Sequence, residues 1–158
     1  MDKNIHMIVW NNKINDIKQL LQNHNIDINK KDESGMTPLH IAISRGNKDI
    51  AQLLLNADAD GSIQDEEGFT SLHYTLEYNM LDIAKDIIDK TPKVLHIVDK
   101  YGNQPLWTAT MNSKVPYEFI IYLLKNGADK NHKNKANASP YDLAKDFNIP
   151  EFTALFEN

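Results

Sequence analysis

Thr37-Pro38-Leu39-His40 returns as Thr70-Ser71-Leu72-His73, 33 residues later. No other feature limits so sharply what the chain can fold into, because a fixed displacement implies stacked copies of one small unit and not a single closed core. The register extends in both directions. Gly35, Gly68 and Gly102 precede the tetrapeptides, and Asp32, Asp65 and Asp99 open the units. A third copy reads Gln104-Pro105-Leu106-Trp107 and a fourth Ser139-Pro140-Tyr141-Asp142, at successive intervals of 33, 34 and 35 residues.

Residues 32–64 show how one unit works. Asp32 to Met36 is turn material, with Gly35 able to take a positive φ. Thr37 stands where a helix N-cap should, and Pro38 at the first helical position loses no hydrogen bond. Leu39, Ile41, Ala42 and Ile43 give a short helix with an apolar side, closed by Gly46. Asp49 is expected to start a second helix, in which Ile50, Leu53 and Leu54 form an i, i+3, i+4 stripe. Two helices of this length cannot bury that stripe alone; neighbouring units must cover it.

The period and the Thr-Pro-Leu-His core resemble those of ankyrin repeats. The resemblance implies an all-α solenoid of stacked helix-turn-helix units joined by hairpin loops, one domain over 1–158 with units at about 1–31, 32–64, 65–98, 99–133 and 134–158. Asp16-Ile17 and Leu20-Leu21 precede Asp49-Ile50 and Leu53-Leu54 by 33 residues, so the first unit is a degenerate copy. The last opens at Asn134-Lys135-Ala136-Asn137, with helices expected over Pro140–Phe147 and Pro150–Glu157. Asn56-Ala57-Asp58 resembles the family's Gly-Ala-Asp exit turn, intact at Gly127-Ala128-Asp129. Asp58 and Asn79 replace family glycines, and both residue types tolerate left-handed backbone. Residues 91–98 replace the third exit turn with a longer, more apolar segment, and two extra residues separate the fourth unit's helices around Asn112–Pro116.

Composition removes several classes of function. In 158 residues there is no cysteine, which excludes disulfides, thiolate catalysis and cysteine-ligated metal. The net charge is −5, and of 17 basic residues only Arg45 is an arginine, which disfavours nucleic-acid binding. The short apolar run Ile5–Trp10 is no leader or membrane span, so the expected location is cytoplasmic, with no membrane partner. The units divide the charge unevenly: +2, −3, −4, +2 and −2 in chain order, leaving an acidic centre.

No catalytic, metal or cofactor-binding motif emerges. His40 and His73 occupy equivalent positions in successive units and read as hydrogen-bond ties between hairpins. His6, His24, His96 and His132 lack metal-ligand spacing. Glu66 and Glu67 are adjacent on a hairpin and should point apart, unlike a glycosidase pair. Trp107 stands in for the third histidine, either packed between units or exposed as an interface anchor. Tyr117, Phe119, Tyr122, Phe152 and Phe156 fall at core spacing.

Ankyrin-like repeats bind through hairpin tips and the exposed side of the first helices. By register that surface here takes Glu33, Ser34, Met36, Ser44 and Arg45, then Glu66, Glu67, Phe69, Glu77 and Tyr78, then Lys100, Tyr101, Asn103, Met111 and Asn112. Its aromatics and methionine, rimmed by charge, are what protein-binding surfaces are enriched in. The expected function is a non-enzymatic module, monomeric by itself, that holds a protein partner bearing a basic patch. Family analogy suggests an inhibitor or immunity protein against a toxin; the alternative is an effector or adaptor acting on host proteins.

Overall fold

The computed structural model describes residues 4–22 and 26–157, and His24 lies outside them. Among the described residues there are ten α-helices and no strand: α1 Ile5–Trp10, α2 Ile14–Leu21, α3 Pro38–Ser44, α4 Lys48–Asn56, α5 Ser71–Glu77, α6 Leu81–Lys90, α7 Pro105–Met111, α8 Tyr117–Lys125, α9 Pro140–Asp146 and α10 Pro150–Ala154. Helices this short are marginal in isolation, so packing must hold them. The first helices of the pairs, α1, α3, α5, α7 and α9, lie side by side in sequence order, and α2, α4 and α6 form a second layer. One continuous core runs between them, with Ile17, Ile43, Ile50, Leu54, Leu72, Leu76, Ile83 and Leu106 fully buried.

The ends of the helices follow from local chemistry. Thr37 caps α3 with extended backbone and Pro38 fills its first turn, while Ser139 accepts from the Asp142 amide to cap α9. Asp58 and Asn79 take φ of 63° and 57°, the left-handed conformation their positions require. Three expected boundaries shift. α4 starts at Lys48 and not Asp49. The closing helices are shorter than expected, α9 stopping at Asp146 and α10 at Ala154, although Phe156 beyond α10 is still fully buried. The apolar segment 91–98 forms a 3₁₀ turn, Pro92–His96, that packs on α6 and α7 and buries Val94 and Leu95.

Between helix pairs, every hairpin is framed by the side chain that opens it. Oδ1 of Asp32 accepts the amides of Ser34 and Met36, Asp65 those of Glu67 and Phe69, and Asp99 those of Tyr101 and Asn103, all at 2.8–2.9 Å. Asn134 does the same for Ala136 and Ala138. Gly35 has φ +75°, and a Cβ there would meet the Glu66 amide nitrogen at 2.8 Å; Gly68 repeats this against Lys100. The next hairpin therefore rides directly on the glycine. Backbone bonds lock the stack, from Glu66 N–H to Ser34 O, from Lys100 N–H to Glu67 O and from Lys135 N–H to Tyr101 O.

Candidate protein-binding face

The repeated histidines belong to this frame. The Thr37 amide donates to His40 Nδ1 at 3.1 Å, and Nε2 lies 3.2 Å from the Phe69 carbonyl of the next unit. Thr70, His73 and Asn103 repeat the geometry. A backbone amide can only donate and a carbonyl can only accept, so the ring must be neutral with its proton on Nε2. Burial pushes both imidazoles down, His73 to about 4. At Trp107, which is half-buried, the tie comes from the other side: His132 Nε2 donates to Gly102 O at 2.9 Å, and Asn134 Nδ2 to Asn103 Oδ1 at 2.8 Å.

The candidate contact residues all lie on three hairpins, 32–36, 65–69 and 99–103, or at the C-terminal ends of α3, α5 and α7. Glu33, Glu66, Glu77, Tyr78, Tyr101 and Met111 are exposed, the last three strongly so. Met36 and Phe69 are half-buried beside the helix N-caps. Phe69 turns its ring edge-on to both His73 and Tyr74, with centroids at 5.6 and 6.1 Å. Tyr74 in turn lies parallel to Tyr78 at 6.3 Å. An aromatic line thus crosses the third unit from its hairpin to the end of α5. Tyr74 anchors that line: its hydroxyl donates to Asp65 Oδ2 at 2.7 Å. Burial first, then this bond, raises its pKa.

Several candidates are committed within the chain. Glu67 pairs with Lys100, and the Lys100 ammonium also stands over the Tyr101 ring at 5.1 Å. The Arg45 guanidinium lies 4.4 Å from the centre of the Trp10 ring. Asn103 Nδ2 donates to Asp99. Asn112 Nδ2 donates to the carbonyls of Leu76 and Glu77, fastening the end of α7 to that of α5. Glu33, Glu66 and Glu77 have no ion pair among the described residues.

Sequence reasoning missed Trp10, 50% exposed at the end of α1, and Phe147, 40% exposed just beyond α9. Both occupy the first-helix ends used by Arg45 and Tyr78. Aligning the first unit on α2 concealed the match, since Asn12, with φ 53°, and Gly46 set a displacement of 34 for α1. The spacing of Tyr117 predicts a core residue, but its side chain is 42% exposed. Following Pro116 at the start of α8, it meets the buried Phe152 with ring centres 5.1 Å apart and leaves its other side open.

A hollow of about 360 Å³ lined by Ile121, Leu124, Lys125 and Leu155 shares no residue with this face. Among the described residues no group of three His, Cys, Asp or Glu could hold a metal ion, and no helix is long and apolar enough to cross a membrane. A family model of ankyrin repeats, in three copies, matches residues 5–96. That span takes in the first three helix pairs and the 3₁₀ turn, and proteins of this type are generally protein–protein interaction modules. With more than half its length matched and successive helix pairs tied to the next hairpin through His40 and His73, the chain belongs to the ankyrin repeat family.

Proposed function

We propose that the chain is a non-catalytic module that holds one folded protein partner across the hairpins and first-helix ends of its second to fourth helix pairs. One observation carries this reading: Glu33, Glu66 and Glu77 have no ion pair among the described residues and share hairpins and first-helix ends with exposed Tyr78, Tyr101 and Met111, whereas Glu67, Lys100 and Arg45 are engaged within the chain. Free carboxylates steer a basic partner, while large half-exposed rings supply contact area at low entropic cost. An inhibitor of a nucleic-acid-degrading toxin fits this chemistry, because such an enzyme carries a basic substrate-binding surface that an acidic face can occlude.

Because Glu67 is already paired with Lys100, the informative substitutions are Glu66→Lys together with Glu77→Lys. Against a partner captured from lysate of the producing cell, the double variant is expected to bind at least about tenfold more weakly and with a flatter salt dependence. Its thermal melt should stay within about 0.5 kcal/mol of the parent. Undiminished binding would place the contact elsewhere. The inhibitor reading further requires that an equimolar amount of the chain suppress the partner's nuclease activity; a captured partner that stays fully active would remove it.

A further inference from the structure

Four aromatic rings in this protein carry a cation supplied by the chain itself. Arg45 lies over Trp10, Lys85 over Tyr122, Lys100 over Tyr101 and Lys145 over Tyr141, at 4.4 to 5.6 Å from the ring centres. The exposed rings of Tyr117, Phe147 and Tyr78 carry no cation among the described residues, and of the three only Tyr78, 47% exposed, lies on the proposed face. For Tyr78 the cause is visible in the register. Arg45 caps the end of α3 and reaches back to Trp10 on α1; the residue capping α7 is Asn112, which reaches back to the carbonyls of Leu76 and Glu77 instead. One exposed ring in the row of first-helix ends receives a guanidinium, and the ring two helices further on is left bare.

The surroundings of Tyr78 suit the missing group. Tyr74 lies parallel behind it, with an interplanar angle of 3°, and is fixed through Asp65, so the pair offers a preorganised flat surface. Glu77, the preceding residue, has no ion pair among the described residues, and its charge is felt at the Tyr74 hydroxyl. Met111, 55% exposed, sits one residue before the Asn112 that is bonded to Glu77, so an apolar stem could lie along it. We infer that Tyr78, with Glu77 beside it, is the seat for an arginine side chain of the protein partner. Arginine fits better than lysine: a guanidinium is planar, stacks on a ring face while its edge still donates two hydrogen bonds to a carboxylate, and is more weakly hydrated than an ammonium. This inference rests on the protein-binding face proposed above and narrows what that face selects.

The test uses the whole chain with capped hexa-arginine and hexalysine as probes, equal in length and charge. Binding is followed by titration and by the ring-proton NMR signals of Tyr74 and Tyr78. Hexa-arginine should bind about fivefold or more tighter than hexalysine and shift both tyrosines. Tyr78→Ala should erase the preference, Tyr78→Phe should keep it because the stack does not need the hydroxyl, and Glu77→Gln should weaken hexa-arginine more than hexalysine. Equal affinities in the parent chain, or a preference that survives Tyr78→Ala, would overturn the arginine seat. If both peptides bind equally and shift Phe69, Tyr101 and Met111, the acidic face stands and the seat alone falls. If neither peptide shifts any of these residues, the face itself falls with it.

Discussion

His73 receives the Thr70 amide on Nδ1 and presents its Nε2 proton to the Asn103 carbonyl, a pairing that works only for a neutral ring. The unfolded chain takes up this proton near pH 6.5, whereas burial holds the folded imidazole down at about 4. Below pH 6.5 the unfolded state therefore binds more protons, and stability falls as the pH drops from there toward 4. At about 1.4 kcal/mol per unit of depression, His73 alone should remove on the order of 3 kcal/mol across that window, with His40 adding loss in the same direction. Urea denaturation at pH 7 and pH 4.5 should show the loss, and His73→Gln should flatten it. The structural use of the histidines was legible from their 33-residue spacing. That the Phe69 and Asn103 carbonyls accept from them was not, because acceptors in another unit leave no mark on the local pattern.

Among the elements, the hairpin is the most standardised. Asp32, Asp65 and Asp99 each use one oxygen to gather two amides, and Asn134 shows that the negative charge is dispensable. Asp32, whose side chain serves only the turn, tests this: Asp32→Asn should leave the melting temperature nearly unchanged, whereas Asp32→Ala, which strands the Ser34 and Met36 amides, should cost about 1–3 kcal/mol. Calorimetry on the two variants distinguishes them. Helix starts were readable wherever Thr-Pro or Ser-Pro stood at the cap, as at α3 and α9, since cap and first turn are local. Helix ends and the exposure of Tyr117 depend on what covers them from neighbouring elements. So did the commitment of Glu67, Arg45, Asn103 and Asn112: the sequence marks them as surface residues, but only the packed stack shows that each is answered by Lys100, Trp10, Asp99 or the end of α5.

Across the whole molecule, each helix pair is buried by its immediate neighbours, so stability is close to a sum of adjacent interfaces. Leu72, fully buried in α5, lies in the central pair, with α3 and α7 on either side. Leu72→Ala should cost about 2–5 kcal/mol, measured by chemical denaturation, with no direct effect on the exposed face. The stacked architecture followed from the period alone, as did the acidic centre from the charge of each unit. Charge by itself could not say which carboxylates are available to a partner, because availability is a difference between the charges present and those already answered.

The replacement of aspartate by Asn134 at the head of the last hairpin has a consequence for how such a protein changes over generations. Since the amide serves that turn as well as the carboxylate serves the others, a negative charge at the head of a hairpin is not bound to the ability to fold. Lineages could exchange an acidic for a neutral residue at that turn position while the backbone beneath it stays as it is. The chain is then free to follow a changing partner without renegotiating its own architecture.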